Sequence, residues 1–202
     1  MVATDGGPVA VATPEYEVLK QDGSFELRRY ARYLTASVHV SASDYGQASS
    51  AGFNPLADYI FGGNHASDRI SMTAPVSAGR VCCQKIAMTA PVTAAQAEDD
   101  YVVSFTMPAE YSSLDDLPRP NNPAVTLEEV APHVVAAVRF GGYFSDKHAA
   151  KAQAELEAWM AEQGLTAAGE PVSAQYDSPW KPGFARRNEI MIPVDEEGLD
   201  IP

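Results

Sequence analysis

The sequence predicts an α+β fold: a pseudo-twofold β-α-β-β duplication forming a distorted antiparallel β-barrel or curved sheet flanked by two α-helices. Three observations lead there. Short segments of two-residue alternation are interrupted by two longer segments of helical period. A single offset of 100 positions lays Leu34, Ala36, Val38 and Val40 on Val134, Ala136, Val138 and Phe140, and Leu56, Tyr59 and Ile60 on Leu156, Trp159 and Met160. Two copies at so long a period are too few for a solenoid, so they belong to one domain with internal symmetry.

Residues 1–13 read as a flexible leader, 14–195 as one domain and 196–202 as a tail. Residues 16–20 and 25–30 are strand-like and flank Gln21-Asp22-Gly23-Ser24, a hairpin turn signal. Residues 34–41 predict a half-buried strand, with Thr35, Ser37, His39 and Ser41 on its polar face. Residues 44–61 turn helical, with Ser43 or Asp44 as N-cap and Gly62-Gly63-Asn64 as the stop. Strands are expected at 69–77, 84–93 and 101–107, followed by a Pro- and Asn-rich loop at 108–123. The second half repeats the order: strands at 125–130 and 134–140, a helix over 146–163 ended by Gly164, and strands at 172–176 and 188–194. In this reading residues 86–92 are the counterpart of 190–194, since both pair Ile with Met and end in Pro-Val.

The 202 residues carry a net charge of −13, and 46% are hydrophobic. A chain of that size buries about 70% of its unfolded surface without staples. The acidic balance disfavours nucleic acid or an anionic membrane as partner, because both call for a basic patch. No run approaches the ~20 apolar residues of a membrane span, and residues 1–13 lack the features of a signal or transit peptide. Cys82 and Cys83 are adjacent, where a bridge would be strained, so no stabilising disulfide is expected. A soluble cytoplasmic protein follows from these traits.

No Gly-x-Ser-x-Gly, dinucleotide-binding or phosphate-loop motif is present, and Glu128-Glu129 and Asp115-Asp116 read as solvated charges, so catalysis is not expected. His39, His65, His133 and His148 lack zinc-ligand spacing, so no metal site is expected either. The doubled Met72-Thr73-Ala74-Pro75-Val76 and Met88-Thr89-Ala90-Pro91-Val92 packs as strand, or else offers Met72 and Met88 as soft apolar surface to a flat ligand. Residues 176–190 place Tyr176, Trp180 and Phe184 beside Lys181, Arg186 and Arg187. Arg186, Arg187, Asn188 and Glu189 form an internal ion-pair and hydrogen-bond cluster, or else the aromatics cover a ring whose acidic groups meet the cations.

Several of these motifs, taken in order, resemble one family. They are Phe25-Glu26-Leu27-Arg28-Arg29-Tyr30, Gly52-Phe53 with Leu56 and Tyr59-Ile60, and the two Met-Thr-Ala-Pro-Val copies. Phe105-x-Met107-Pro108, Pro118-Arg119-Pro120 and the run from Tyr176 to Ile190 continue the series. Over residues 16–194 the chain resembles the SOUL haem-binding proteins, in particular their plant, algal and bacterial branch. The resemblance implies a reversible tetrapyrrole ligand, haem or another porphyrin, in a hydrophobic cleft along the first helix. Ser50, Phe53 and Ala57 match that helix face, and Lys181 matches a basic position that meets propionates; Trp180 beside it supplies an aromatic face. Arg29 stands where one family variant carries a histidine, so the resemblance implies no iron ligand there; His39 is the remote candidate.

The expected protein is a monomeric buffer or carrier of tetrapyrroles. Two alternatives stay open. A hydrolase for a small hydrophobic substrate would need a buried Glu or Asp within hydrogen-bonding reach of a cavity Tyr. A protein-interaction module would keep only a vestigial pocket.

Overall fold

Each alternating run buries one apolar face, and the chain satisfies these faces with one antiparallel sheet and two helices. The computed structural model describes residues 13–71, 74–80, 100–177 and 181–197. The strands of the first half are β1 (Tyr16–Asp22), β2 (Phe25–Tyr30), β3 (Tyr33–Ser41), β4 (Val76–Arg80) and β5 (Asp100–Thr106). Those of the second half are β6 (Thr126–Val130), β7 (His133–Gly141), β8 (Val172–Gln175) and β9 (Arg187–Pro193). Helix α1 (Tyr45–Ile60) follows β3, and helix α2 (Asp146–Glu162) follows β7. Among the described residues the sheet has nine strands, ordered β1-β2-β7-β9-β8-β4-β5-β3-β6 with antiparallel pairings, and it curls into a half-barrel.

The order is symmetric about the β4–β8 pairing: β4-β5-β3 mirrors β8-β9-β7, and β6 flanks β3 as β2 flanks β7. The strand that precedes each unit thus pairs with the first strand of the other unit. The 100-residue offset holds residue by residue in β3 and β7, whose burial patterns are identical. It does not hold past the helices. By its place in the sheet, the counterpart of β9 is β5, not residues 86–92, which lie outside the described residues. Packing fixes the spacing of a strand and the helix laid upon it, but it does not constrain the length of a surface connection.

Two further expectations need correction. Among the described residues, the strand expected at 69–77 pairs only from Val76; Pro75 has no N–H to give to a ladder, so this pairing starts after it. The polar face of β3 is not a solvent face at its first residues. Thr35 and Ser37 are as buried as Leu34 and Ala36, and only His39 and Ser41 reach solvent. The curl of the sheet encloses the face turned away from the helices.

Each half has its own core. Leu34, Ala36 and Val38 pack with Leu56, Tyr59, Val103 and Phe105 under α1. Val134, Ala136 and Val138 pack with Leu156, Trp159, Ile190 and Ile192 under α2. The helices start where the side-chain caps stand: Asp44 accepts from the N–H of Gln47 at 2.9 Å, and Ser145 from that of His148 at 3.3 Å. After α1 the buried Asn64 holds the turn, donating to the carbonyls of Tyr59 and Asp68.

Helix α1 lies so close to β5 that a Cβ built on Gly52 would sit 2.5 Å from the Cβ of Val103. Gly52→Ala is therefore expected to destabilise the protein by about 1–3 kcal/mol through overpacking, despite alanine's better helix propensity. Thermal unfolding of the variant measures this, and an unchanged or raised midpoint would contradict the close packing.

Candidate functional site

The residues matched to a ligand-binding helix face share one stripe of α1. Ser50 and Phe53 are exposed and Ala57 is half-buried. The ring of Phe53 rests edge-on against Phe105, with centroids 5.4 Å apart, and keeps 38% of its surface exposed. Phe61, the C-cap of α1, continues this stripe and is 58% exposed. The same periodicity points to it, since position 61 follows 50, 53 and 57 at helical spacing.

Lys181 lies in the β8–β9 connection and pairs there with Asp177. The other carboxylate oxygen of Asp177 accepts from the backbone N–H of Arg187. Burial opposes ionisation of Asp177, but Lys181 and that N–H hold its carboxyl below the usual range. An incoming carboxylate at Lys181 would compete with this partner. Trp180, like Met72, Met88, Cys82 and Cys83, lies outside the described residues. Arg29 is an outer residue paired with Glu17 at 3.4 Å, and His39, His65 and His148 are exposed.

The side of the sheet away from the helices holds what the sequence did not show. Alternation turns Arg28 and Tyr30 of β2, Glu189 and Met191 of β9, and Thr35 of β3 to this concave face. Glu189 is fully buried and accepts five hydrogen bonds. Arg28 binds it in bidentate fashion at 2.7 and 3.0 Å, Tyr176 donates at 2.7 Å, and Arg187 donates twice, at 2.9 and 2.7 Å. Arg28 also meets Glu26 at 2.6 Å and lies over the ring of Tyr16, 4.6 Å from its centroid. Arg187 lies over Tyr176 at 4.1 Å. Burial opposes the charge on Glu189, but the guanidinium of Arg28, with Tyr176 and Arg187, holds its carboxyl below the ordinary value. The internal-cluster reading of residues 186–189 describes Arg187 and Glu189 well, yet Arg28, Tyr16 and Tyr30 could not be joined to them from sequence. Their partners lie up to 161 positions away.

Beside this cluster opens a pocket of about 220 Å³, walled by Tyr30, Tyr33 and His133 on one side and by Thr35, Ser77 and Ser104 on another. A second cavity, about 410 Å³, lies on the helix side of the sheet between the N-termini of α1 and α2. Among the described residues no group of three His, Cys, Asp or Glu could hold a metal ion. No described helix is long and apolar enough to cross a membrane.

The family model described as SOUL heme-binding protein matches residues 11–193. Heme-binding protein 2 of Homo sapiens is 30% identical over 196 residues, covering 94% of this chain and 89% of its own. Heme-binding protein 2 of Mus musculus is 29% identical over 174 residues, covering 85% and 78%. Among solved structures, the EcmrR C-terminal domain superposes with a TM-score of 0.61 at 12% identity, covering 89% of this chain and 98% of that one. A protein described as a hydrolase from Listeria innocua gives a TM-score of 0.56 at 12% identity, covering 85% and 92%. At such identities these two share the fold alone.

The buried cluster makes two expected outcomes measurable. Arg28→Met removes one partner of a buried ion pair and should cost about 3–5 kcal/mol in denaturant unfolding, whereas Arg28→Met with Glu189→Met should recover part of it. A double variant no more stable than the single one would contradict the coupling. Because the pKa of Glu189 is depressed on folding, its contribution is fully present above the unfolded value of about 4.3 and is lost as pH falls through the lower folded value. Wild-type stability should therefore fall more steeply with acid below about pH 4.3 than that of Glu189→Gln. Parallel curves would place the acid sensitivity elsewhere.

Proposed function

The chain belongs to the SOUL haem-binding family, and from that premise we propose that it binds haem or another porphyrin reversibly, as a soluble buffer or carrier. The observation that carries the choice of site is the stripe of α1, where Phe53 and Phe61 stay exposed with the small Ser50 and Ala57 between and beside them. Small residues between aromatic ones leave a flat apolar strip, to which a planar macrocycle is complementary. Burying several hundred Å² of it at about 25 cal/mol per Å² contributes several kcal/mol before ordering costs. Trp180 would cover an edge of the ring and Lys181 would meet a propionate, exchanging Asp177 for it. Neither step asks for a protein ligand to iron.

The hydrolase reading has its stated requirement in part: Tyr176 donates to the buried Glu189 at 2.7 Å. Both oxygens of that carboxylate are taken by Arg28 and Arg187, however, so it has no lone pair placed to activate a water. A carboxyl held below its ordinary pKa is also a poor base. Binding is the better-supported reading.

Haemin titration should show a saturable Soret shift with a Kd below about 10 μM, near −6.8 kcal/mol. Phe53→Glu with Phe61→Glu should weaken it at least about tenfold, a loss of about 1.4 kcal/mol. Absence of saturable binding would end the reading, and unchanged affinity in the double variant would remove the ligand from α1.

A further inference from the structure

The concave pocket has a chemistry of its own and lies across the sheet from α1. At about 220 Å³ it is smaller than the ~300–1,000 Å³ pockets that take drug-sized ligands. A tetrapyrrole is out of scale with it; a molecule of one or two fused rings is not. One wall is aromatic: the rings of Tyr30 and His133 stack 5.6 Å apart at 14°, and Tyr33 tilts against both, 6.1 and 5.9 Å away.

The other wall carries hydroxyls. Ser77 of β4 and Ser104 of β5 are direct cross-strand partners, and Thr35 stands on the neighbouring β3. Thr35 is only 7% exposed, yet among the described residues its hydroxyl has no hydrogen-bond partner. The same holds for the hydroxyls of Ser77, Ser104 and Tyr33. Thr35 is buried and Tyr33, Ser77 and Ser104 are half-buried, so these hydroxyls are reached through the pocket, and that is where a hydrogen-bond partner can come from.

Charge narrows the class. No lysine or arginine is among the described residues lining the pocket, and the carboxylate that borders it belongs to Glu128, an exposed residue of β6. The nearby Arg28 is already neutralised by Glu189 and Glu26. We propose that this pocket binds a small, uncharged, planar aromatic molecule bearing a hydroxyl or carbonyl. Its ring lies against Tyr30, Tyr33 and His133, and its polar edge exchanges hydrogen bonds with Thr35, Ser77 and Ser104.

The test uses the full chain at neutral pH with 2-naphthol as probe, and with 2-naphthoate and 2-naphthylmethylammonium as charged counterparts. Binding is followed by probe fluorescence and by protein-observed NMR. Saturable binding of 2-naphthol, at least about tenfold tighter than either ion, supports the proposal. Thr35→Val keeps the side-chain shape and should weaken 2-naphthol about fivefold or more, and Ser104→Phe should fill the pocket and abolish binding. Phe53→Glu with Phe61→Glu should leave 2-naphthol binding unchanged, which separates this site from the tetrapyrrole site. The proposal is overturned by no binding of 2-naphthol, by tighter binding of the ammonium probe, by Thr35→Val binding as wild type does, or by haemin displacing the probe competitively.

Discussion

Glu189 is the group around which the concave side is organised. A carboxylate with no exposed surface at the middle of a sheet is tolerable only if its lone pairs are filled, because desolvating an ion costs several kcal/mol. The filling comes from Arg28 on β2, Arg187 on β9 and Tyr176 just beyond β8. Two of the three strands involved flank β7 and the third pairs with β9, so the cluster ties across the second half of the sheet. It also removes charge. With Glu26 included, two guanidinium groups face two carboxylates, so the cluster adds no free cation to the adjoining pocket, whose border carries the exposed carboxylate of Glu128.

The duplication persists in one layer of the molecule and is lost in another. Toward the helices, Leu34, Ala36 and Val38 meet Val134, Ala136 and Val138 at the same offset with similar volumes, because each set must fill the space beneath a helix. Toward the concave side the same strands diverge: Thr35 stands opposite Val135 in the repeat, and Ser37 opposite Ala137. The two halves thus share a frame but present hydroxyls from one side and apolar surface and paired charge from the other. An asymmetric pocket across a symmetric sheet is the result.

The two ligand surfaces inferred for this chain lie on opposite layers and rest on different physics. On α1 a broad, open aromatic stripe offers area and little directional bonding, which suits a large flat molecule held loosely. On the concave side a small volume with several hydroxyls offers direction and little area, which suits a small molecule selected by hydrogen bonds.

How much was legible depended on how local the signal was. Period-two and period-3.6 patterns and the caps Asp44 and Gly164 are short-range features of the chain, and with the 100-residue offset they point to the elements and the fold class; the helix face of Ser50, Phe53 and Ala57 came from the family resemblance. The family resemblance added the ligand class. The counterpart of β9 is not legible because connection lengths carry no packing constraint, and the burial of the polar face of β3 is not legible because alternation reports that two faces differ, not where the second one points. The sequence alone therefore determined which residues form strands and helices and which side of each is apolar. Only the tertiary structure decided that the polar sides are turned inward by the curl of the sheet. There Arg28 meets Glu189 across 161 positions, and Thr35, Ser77 and Ser104 converge from three strands. Such meetings follow from strand order and register, which are set by the assembled sheet and not by any local run of residues.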